Sequence, residues 1–486
     1  MSAPRPDALD RSVPPPPGPL RPFHFPPVHR RPLSNGMDLL VAEARNFPVV
    51  SMGVSLPASG LDDPAGSEGV AALAADLLDT GAAGRTGLEI AVELEGLGIL
   101  ADTGASWDAT YVGFTALRAS VQPGARILAD LLRRPDYPEA ELDRVRAQRL
   151  ASIAQRRVDP GLLANEAFLR FVYAPGSPYA RPLSGTAASL QGLTRQDVRA
   201  FHAARYRPAG ATMIVAGDLG VDEAAEIAES CLGDWAGAPD PSPEPDIRPR
   251  EDAPRVVLVD RPGAAQSELR VGHVGISRTH PDYFAATVMN QILGGSFSSR
   301  LNLSLRERHG YTYGLSSFFT LRRHPGPFAV STAVQSGATA ASVREILHES
   351  QAIREAPVTP AELDDVRSYL AGVFPLRLET TVGLASRLSQ IAVYGLPDDY
   401  FQTYRERILE VSADDVLRAA RDHLAPERMV VVVVGDAAGL RGPLEEIGEV
   451  RVIQPSDLEL CSAPRGGGRP VHPAGRSSFG GGLKLR

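Results

Sequence analysis

The sequence predicts an α+β protein built from one unit used twice, giving two homologous lobes that each hold a mainly antiparallel sheet flanked by helices. Two pairs of matching segments, in the same order, support this prediction. AELDRVR at Ala140–Arg146 recurs as AELDDVR at Ala361–Arg367, an offset of 221 residues (361 − 140). A segment that runs from a helix into a strand ends in Gly217-Asp218, and a similar segment ends in Gly435-Asp436, an offset of 218 residues (435 − 217). Either match alone is explained by a common helix start or strand end, but two in register favour duplication.

The spacing of the hydrophobic residues and the positions of the turn residues predict the strands and helices of each copy. Strand-like patterns, rich in Val and Leu, cover Asp38–Ala44, Val49–Leu56, Ala109–Ala119 and Ala211–Gly217 in the first copy. Helical patterns cover Glu68–Thr80, Gly87–Leu97, Pro123–Leu132 and Pro138–Gln155. The second copy opens with strands at Val256–Gly263 and Ser267–Gly275. Strands and helices mixed in this order are typical of an α+β unit.

Shifts in composition set the predicted domain boundaries. Residues 1–32 are rich in proline and residues 462–486 in glycine, so both are predicted to be disordered tails. Between them lie an N-terminal lobe, residues 33–237, and a C-terminal lobe, residues 256–461. Residues 238–255 are dense in proline and charge, which predicts an exposed linker. The two lobes are expected to face one another across a hinge.

Composition restricts the class of partner and the compartment. The chain has 486 residues and a formal net charge of −8, which argues against nucleic acid or an anionic membrane as the main partner. No apolar stretch reaches the roughly 18–20 residues of a membrane span, and the N-terminal residues lack the apolar region of a secretory signal. Two distant cysteines, Cys231 and Cys461, suit a reducing compartment. A cytoplasmic location is therefore expected.

Common catalytic motifs are missing from the sequence. The glycine-rich GAAGRTG at Gly81–Gly87 lacks the Gly-Lys-Ser/Thr ending of a phosphate-binding loop, so it is interpreted as an ordinary loop. No G-x-S-x-G is present to suggest a serine hydrolase. Basic stripes with interleaved aromatic residues, typical of nucleic-acid binding, are also missing.

The segment Leu56–Leu117 resembles the first lobe of the pitrilysin/insulinase family of zinc peptidases, which includes the mitochondrial processing peptidase. That family has a glycine-led helix carrying H-x-x-E-H, whose histidines bind zinc and whose glutamate activates a water. Aligned on Gly69, the motif falls on ALAAD, with Ala72 and Asp76 at the histidine positions and Ala75 at the glutamate position. The resemblance therefore implies a helix that has lost its zinc ligands.

The remaining sequence of that lobe agrees with the loss. The helix keeps an apolar stripe at the spacing of an amphipathic helix, formed by Val70, Leu73, Ala74, Leu77 and Leu78. The family's third ligand, a glutamate, is expected about 75–80 residues downstream, but Arg144–Val158 contains no acid. No metal or other cofactor is therefore expected in this chain. Asp76 is predicted to be a solvated acid, in preference to a vestigial ligand or a base.

In the second lobe, Gly294–Phe319 resembles the family segment in which a helix ending in Leu-Arg-Glu runs through a glycine into a strand bearing a tyrosine. Ser298 or Ser299 is predicted to cap this helix and Gly310 to end it. The resemblance identifies Arg306 and Tyr313, seven residues apart, with the family's substrate-clamping pair (313 − 306 = 7).

In the family this arginine–tyrosine pair polarises a substrate carbonyl near the scissile bond. The ordinary alternative is a surface arginine on a helix and a half-buried tyrosine on a strand. Tyr311, predicted on the same strand face as Tyr313, is the competing tyrosine.

Two further segments resemble the family and bear on its fold. Pro178–Leu219 is similar to the close of the first lobe, and Gly104–Phe114 stands where substrates add to an edge strand. For the second segment an ordinary edge strand is the alternative. The resemblance covers roughly Leu33–Val450, nearly all of the chain between the predicted tails.

The resemblance implies a non-catalytic subunit of a heterodimeric peptidase, which forms half of a clamshell-like chamber. Its expected partner is a homologous active subunit that bears H-x-x-E-H and holds the zinc. The expected substrate is a peptide or small unfolded polypeptide. The alternative function is a structural or peptide-binding protein without a proteolytic role. A third possibility, an active peptidase whose zinc ligands lie elsewhere in the chain, finds almost no candidate ligand residues.

Overall fold

The computed structural model describes residue 18 and residues 20–460, with only the backbone of the last two. The predicted C-terminal tail, residues 462–486, lies outside the described residues, as does most of the predicted N-terminal tail. Within the described range, no helix is both long enough and apolar enough to cross a membrane.

The strands form two six-stranded sheets and a short hairpin. The strands of the first half of the chain are β1 (Val28–Pro32), β2 (Asp38–Glu43), β3 (Val49–Leu56), β4 (Gly81–Ala82), β5 (Arg85–Thr86), β6 (Leu100–Ala105), β7 (Thr110–Leu117) and β8 (Thr212–Gly217). The strands of the second half are β9 (Val256–Asp260), β10 (Gln266–Val274), β11 (Leu315–Phe319), β12 (Pro327–Gln335), β13 (Val430–Gly435) and β14 (Val450–Ile453).

The helices lie in matching places in the two halves. The helices of the first half are α1 (Val70–Asp76), α2 (Gly87–Gly96), α3 (Val121–Arg133), α4 (Glu139–Arg156), α5 (Pro160–Val172), α6 (Ala187–Gly192), α7 (Arg195–Arg205) and α8 (Val221–Leu232). The helices of the second half are α9 (Tyr283–Asn290), α10 (Arg300–Asn302), α11 (Thr339–Ala352), α12 (Pro360–Leu376), α13 (Thr381–Tyr394), α14 (Tyr404–Glu410), α15 (Ala413–His423), α16 (Ala437–Glu445) and α17 (Asp457–Leu460).

The two sheets repeat one topology, which confirms the predicted α+β fold with a duplicated unit. The first sheet has the order β1-β2-β8-β3-β7-β6, and the second has β14-β9-β13-β10-β12-β11. In each, the two strands next to the outer edge strand form a parallel pair, β2 with β8 and β9 with β13, and the remaining inner pairs are antiparallel. The copies differ at the outer edge, where β1 runs antiparallel and β14 parallel to its neighbour.

The central strands β8 and β13 are unbroken runs of apolar residues, and this pattern is expected because both of their faces are covered. All six residues of each strand are buried. A strand covered on one face alternates between apolar and polar residues, whereas a strand covered on both faces does not. The helix on the second face of each sheet comes from the other half of the chain.

This exchange of helices joins the two lobes through a shared core. Helix α5 packs on β9, β10 and β13 of the second sheet, while α13 packs on β2, β3 and β8 of the first. Phe168 of α5 lies in one apolar cluster with Val432, and Leu388 of α13 lies in another with Ile214. The expected arrangement of two lobes facing one another across a hinge is therefore replaced by two interlocked lobes.

The N-terminal segment differs from the predicted tail at residues 20–32. Residues 28–32 form β1, and Phe25 is 4% exposed with its ring 5.7 Å from that of Phe401 in the second lobe. Arg30 pairs with Asp398 at 2.7 Å. The proline content predicted disorder, but phenylalanines between the prolines reach an apolar core, and proline is tolerated on an edge strand.

Residues 238–255 are mostly exposed but are tied to the first half of the chain. Ala174 N–H donates to Arg248 O at 3.0 Å, and Arg250 N–H donates to Val172 O at 2.9 Å. These hydrogen bonds anchor the segment to the end of α5, so it follows the surface rather than forming a free linker.

Candidate functional site

Glycine at the start of α1 is required by close contact with a neighbouring loop. Gly69 has φ +94°, and a Cβ there would lie 2.6 Å from Ser184 O. The buried carboxylate of Asp63 accepts hydrogen bonds from the N–H groups of Gly69 (2.7 Å) and Ala71 (2.9 Å), and pairs with Arg181 at 2.9 Å. The scaffold of the glycine-led helix is thus intact.

The residues at the three motif positions on α1 do not fit a zinc ion. Ala72 and Ala75 are 7% and 0% exposed and present only methyl groups. Asp76 forms an ion pair at 2.5 Å with Arg149 of α4, within the segment where the family's third ligand was sought. A zinc site needs several deprotonated N, S or O donors, whereas this place offers one carboxylate already paired with a guanidinium. The Asp76 side chain is 44% exposed, in keeping with the predicted solvated acid, and it is in addition paired with Arg149.

His202, the first histidine after the lobe's start, belongs to the core. Its Nε2 lies 2.9 Å from Leu132 O, and its ring packs 4.6 Å from that of Tyr206. Burial lowers the pKa of His202 to about 4, so the ring is neutral at pH 7. It packs in the core of the lobe and supplies no ligand to α1.

In the second lobe, one buried asparagine that the sequence analysis missed joins the helix to the loop after it. Asn302 is 4% exposed, and its Nδ2 donates to Ser296 O (2.9 Å) and Leu315 O (3.1 Å). Its Oδ1 accepts from Leu315 N–H at 3.2 Å. These bonds fix the start of the helix against the start of β11. A polar residue between Leu301 and Leu303 was the signal available in the sequence.

Arg306 lies near the C-terminal end of that helix. Ser299 stands at the N-cap without a capping side-chain hydrogen bond, residues Leu303–Arg308 form a π-helical turn, and Gly310 follows with φ +64°. The guanidinium of Arg306 stacks 4.0 Å from the centre of the Phe297 ring, and Phe297 itself is 69% exposed. Arg306 is therefore held at the surface by an aromatic side chain.

The two candidate tyrosines lie in a loop and not on a strand. Strand β11 begins at Leu315, so the prediction that Tyr311 and Tyr313 share a strand face is wrong. Their neighbours differ: Tyr311 stacks on His309 at 5.0 Å, whereas Tyr313 is 95% exposed. The loop follows Gly310, whose positive φ turns the chain away from the helix before pairing begins. Tyr313 is the tyrosine whose phenol is open to a ligand.

The open edge of the first sheet is β6, at Leu100–Ala105, rather than the predicted 104–114 segment. That segment covers the end of β6 and most of β7, which lies inside the sheet between β3 and β6. The prediction placed the edge one strand too far along the chain, because the TYVGF pattern of β7 is the stronger strand signal.

Beside this edge lies a cavity of about 460 Å³ between the first sheet and α13. Its lining includes the acids Asp102 and Asp108 together with several hydroxyl groups. The ring of Tyr111 covers the sheet there, since a Cβ at Gly53 or Gly113 would lie 2.4 Å from its hydroxyl. Burial raises the pKa of Tyr111 to about 12, so it stays a neutral phenol.

Comparisons with known proteins agree with this fold. Residues 192–370 match the model of the peptidase M16 inactive domain. An uncharacterised zinc protease of Streptomyces coelicolor is 24% identical over 86% of this chain and 90% of its own. A non-peptidase homologue, YmxG, of Helicobacter pylori is 24% identical over 76% of this chain and 84% of its own. A probable mitochondrial-processing peptidase subunit beta of Schizosaccharomyces pombe is 23% identical over 84% of this chain and 91% of its own.

Among solved structures, a peptidase M16 inactive domain from Pseudomonas fluorescens superposes with a TM-score of 0.78 and 28% identity. The match covers 84% of this chain and 98% of that one. Over residues 192–370 the chain matches the inactive domain of the M16 peptidases, and over most of its length it is similar to members of that family, the pitrilysin/insulinase family. In the alignment on Gly69 that this resemblance suggests, the positions of H-x-x-E-H hold Ala72, Ala75 and Asp76.

Proposed function

We propose that this protein is the non-catalytic subunit of a heterodimeric zinc metallopeptidase, and that it supplies Arg306 and Tyr313 to an active site whose zinc belongs to a homologous partner. The observation that carries the proposal is a contrast within one chain. The place of the zinc ligands is filled by two buried methyl groups and an Asp76–Arg149 ion pair. In the other lobe, Arg306 lies at the surface against Phe297 with its side chain 33% exposed, and Tyr313 is 95% exposed.

The chemistry of the pair suits a substrate carbonyl in a cleft. A guanidinium and a phenol are hydrogen-bond donors that stabilise the negative charge developing on the oxygen during attack. Arg306 is stacked on Phe297 and bonded to Glu307 at 3.3 Å, so its side chain is partly ordered before a substrate arrives. The zinc, the general base and the attacking water are assigned to the partner subunit.

A peptide is the substrate class that the open surfaces favour. Strand β6 offers an unpaired edge to an extended chain, and the adjacent cavity offers room for its side chains. A small unfolded polypeptide meets the same requirements, whereas a folded protein does not present an extended backbone. The second candidate function, peptide binding without proteolysis, rests on the same edge and cavity but gives Arg306 no role.

The proposal is tested by co-expressing the chain with a homologous subunit that carries H-x-x-E-H and measuring cleavage of an unstructured peptide. We expect cleavage by the pair, loss of cleavage with a zinc chelator, and none by this chain alone. Full activity of the partner alone would contradict the proposal and leave this chain a binding protein. Cleavage by this chain alone would contradict the loss of its zinc site.

Asn302 should act as a positioning residue for the clamp. Replacing it with leucine, which is similar in volume, removes the bonds to Ser296 and Leu315 and leaves buried backbone groups unpaired. We expect kcat/KM of the pair to fall by about tenfold, since small displacements of catalytic groups are costly. The loss should fall on kcat, with pair formation unchanged in size-exclusion chromatography. Asn290→Leu, which breaks a neighbouring bond to Ser317, is the matched control.

A further inference from the structure

Three side chains of metal-ligating type meet between α9 and α15 in the second lobe. His280 and Asp282 precede α9, and His423 ends α15, 141 residues beyond Asp282. Their candidate ligand atoms all lie within 4.8 Å of one another. Helices α9 and α15 pack together as α1 and α7 do in the first lobe. The group therefore lies beside the second-lobe counterpart of the helix that lost its zinc ligands.

The Asp282 carboxylate is the centre of the group. Its Oδ2 lies 2.7 Å from His423 Nε2 and 4.0 Å from His280 Nδ1. The two imidazole rings stand edge to face, with centroids 4.7 Å apart. A tetrahedral ion with bonds of about 2.1 Å holds its ligand atoms about 3.4 Å apart. Side-chain shifts of about 1 Å are thus enough to bring all three atoms onto one ion.

Neighbouring charges hold the carboxylate without occupying Oδ2. Arg418 Nη1 bonds the other oxygen, Oδ1, at 2.5 Å, and its Nη2 lies 3.3 Å from Asp415. A hydrogen bond to the second oxygen of a ligating carboxylate is the usual outer partner of a metal site. The positive charge of Arg418 opposes a cation, while the negative charge of Asp415 favours one.

The site is sheltered yet open on one side. The side chains of Asp282 and His423 are 17% and 11% exposed, whereas that of His280 is 33% exposed. An ion and its water therefore have a path past the His280 ring. Binding requires His280 Nδ1 to give up the N–H of Asp282, now at 3.1 Å. It also requires any proton on His423 Nε2 to move to Nδ1 or to solvent.

We propose that His280, Asp282 and His423 bind one divalent transition-metal ion, with water completing the coordination. Two imidazoles and one carboxylate suit zinc and its first-row neighbours, and they do not suit magnesium or calcium, which prefer oxygen ligands alone. The ion ties the start of α9 to the end of α15. This site is separate from the α1 positions, and its test does not depend on the proposed function.

The experiment titrates Zn²⁺ into the chelator-treated full chain against a chromogenic chelator. We expect one zinc per chain, a loss in affinity of more than tenfold in His280→Asn and in His423→Asn, and no change in His348→Asn, an exposed histidine of α11. Zn²⁺ should raise the thermal unfolding midpoint of the wild type and not that of the double variant.

Two outcomes would overturn the proposal. One is a wild-type chain that takes up no zinc in competition with the chelator. The other is zinc bound equally well by the His280→Asn/His423→Asn variant, which would place binding on other histidines or cysteines of the chain. Circular dichroism of each variant establishes that it is folded before its affinity is compared.

Discussion

Arg306→Ala should lower kcat/KM of the assembled peptidase by about a hundredfold to a thousandfold, while leaving the heterodimer intact. The magnitude follows from the loss of one preorganised donor to a developing oxyanion. Because that donor acts in the transition state, we expect the loss to appear in kcat rather than in KM. The measurement is steady-state cleavage of a fluorogenic peptide by the purified pair.

Arg308→Ala is the matched control for this prediction. Arg308 lies two residues along the same turn, is exposed, and carries the same charge. Its loss changes the net charge of the surface equally but removes no donor at the proposed clamp, so activity should stay within about twofold. Arg306→Lys should recover only part of the activity, since an ammonium lacks the planar fork of a guanidinium. Equal activity of Arg306→Ala and wild type would leave this chain a scaffold.

The sequence predicted the elements that depend on local pattern. The unbroken apolar runs of β8 and β13 reveal buried strands because no alternation is needed when both faces are covered. The absence of H-x-x-E-H from the positions of Ala72, Ala75 and Asp76 was likewise visible, since it concerns residue identity at a fixed spacing. The nearly equal sequence offsets of the two pairs of matching segments indicated the duplication.

Contacts between distant segments could not be predicted in this way. Two groups depend on which helices pack together: the Asp76–Arg149 pair and the His280–Asp282–His423 group. The hydrophobic period of a helix identifies its apolar face, but it does not identify the element that packs on that face. The same holds for α13, because nothing in its own sequence indicates that it packs on the sheet of the other lobe. Tyr313 was misplaced onto a strand because aromatic residues favour strands, whereas Gly310 turns the chain there.

Exchange of α5 and α13 predicts that the two lobes unfold together. Phe168→Ala removes a ring that is 3% exposed, and should destabilise the protein by about 3–5 kcal/mol. Leu388→Ala, at 0% exposure, should cost about 2–5 kcal/mol. Each residue belongs by chain position to one lobe and packs on the sheet of the other. Val92→Ala, at 61% exposure on α2, is the control and should change stability by less than about 0.5 kcal/mol.

Native-state hydrogen exchange, followed by mass spectrometry of peptides from β3 and β12, distinguishes joint from separate unfolding. Where exchange requires global unfolding, its rate rises with the loss of stability. If the lobes share one core, each variant accelerates exchange in both peptides by the same factor. Separate lobes would instead show acceleration in one peptide only, with Phe168→Ala acting on β12 and Leu388→Ala on β3. Joint unfolding would mean that the proposed clamp in the second lobe and the edge strand β6 in the first lobe belong to one cooperative structure. A substrate that bound both would then not need to bring them together.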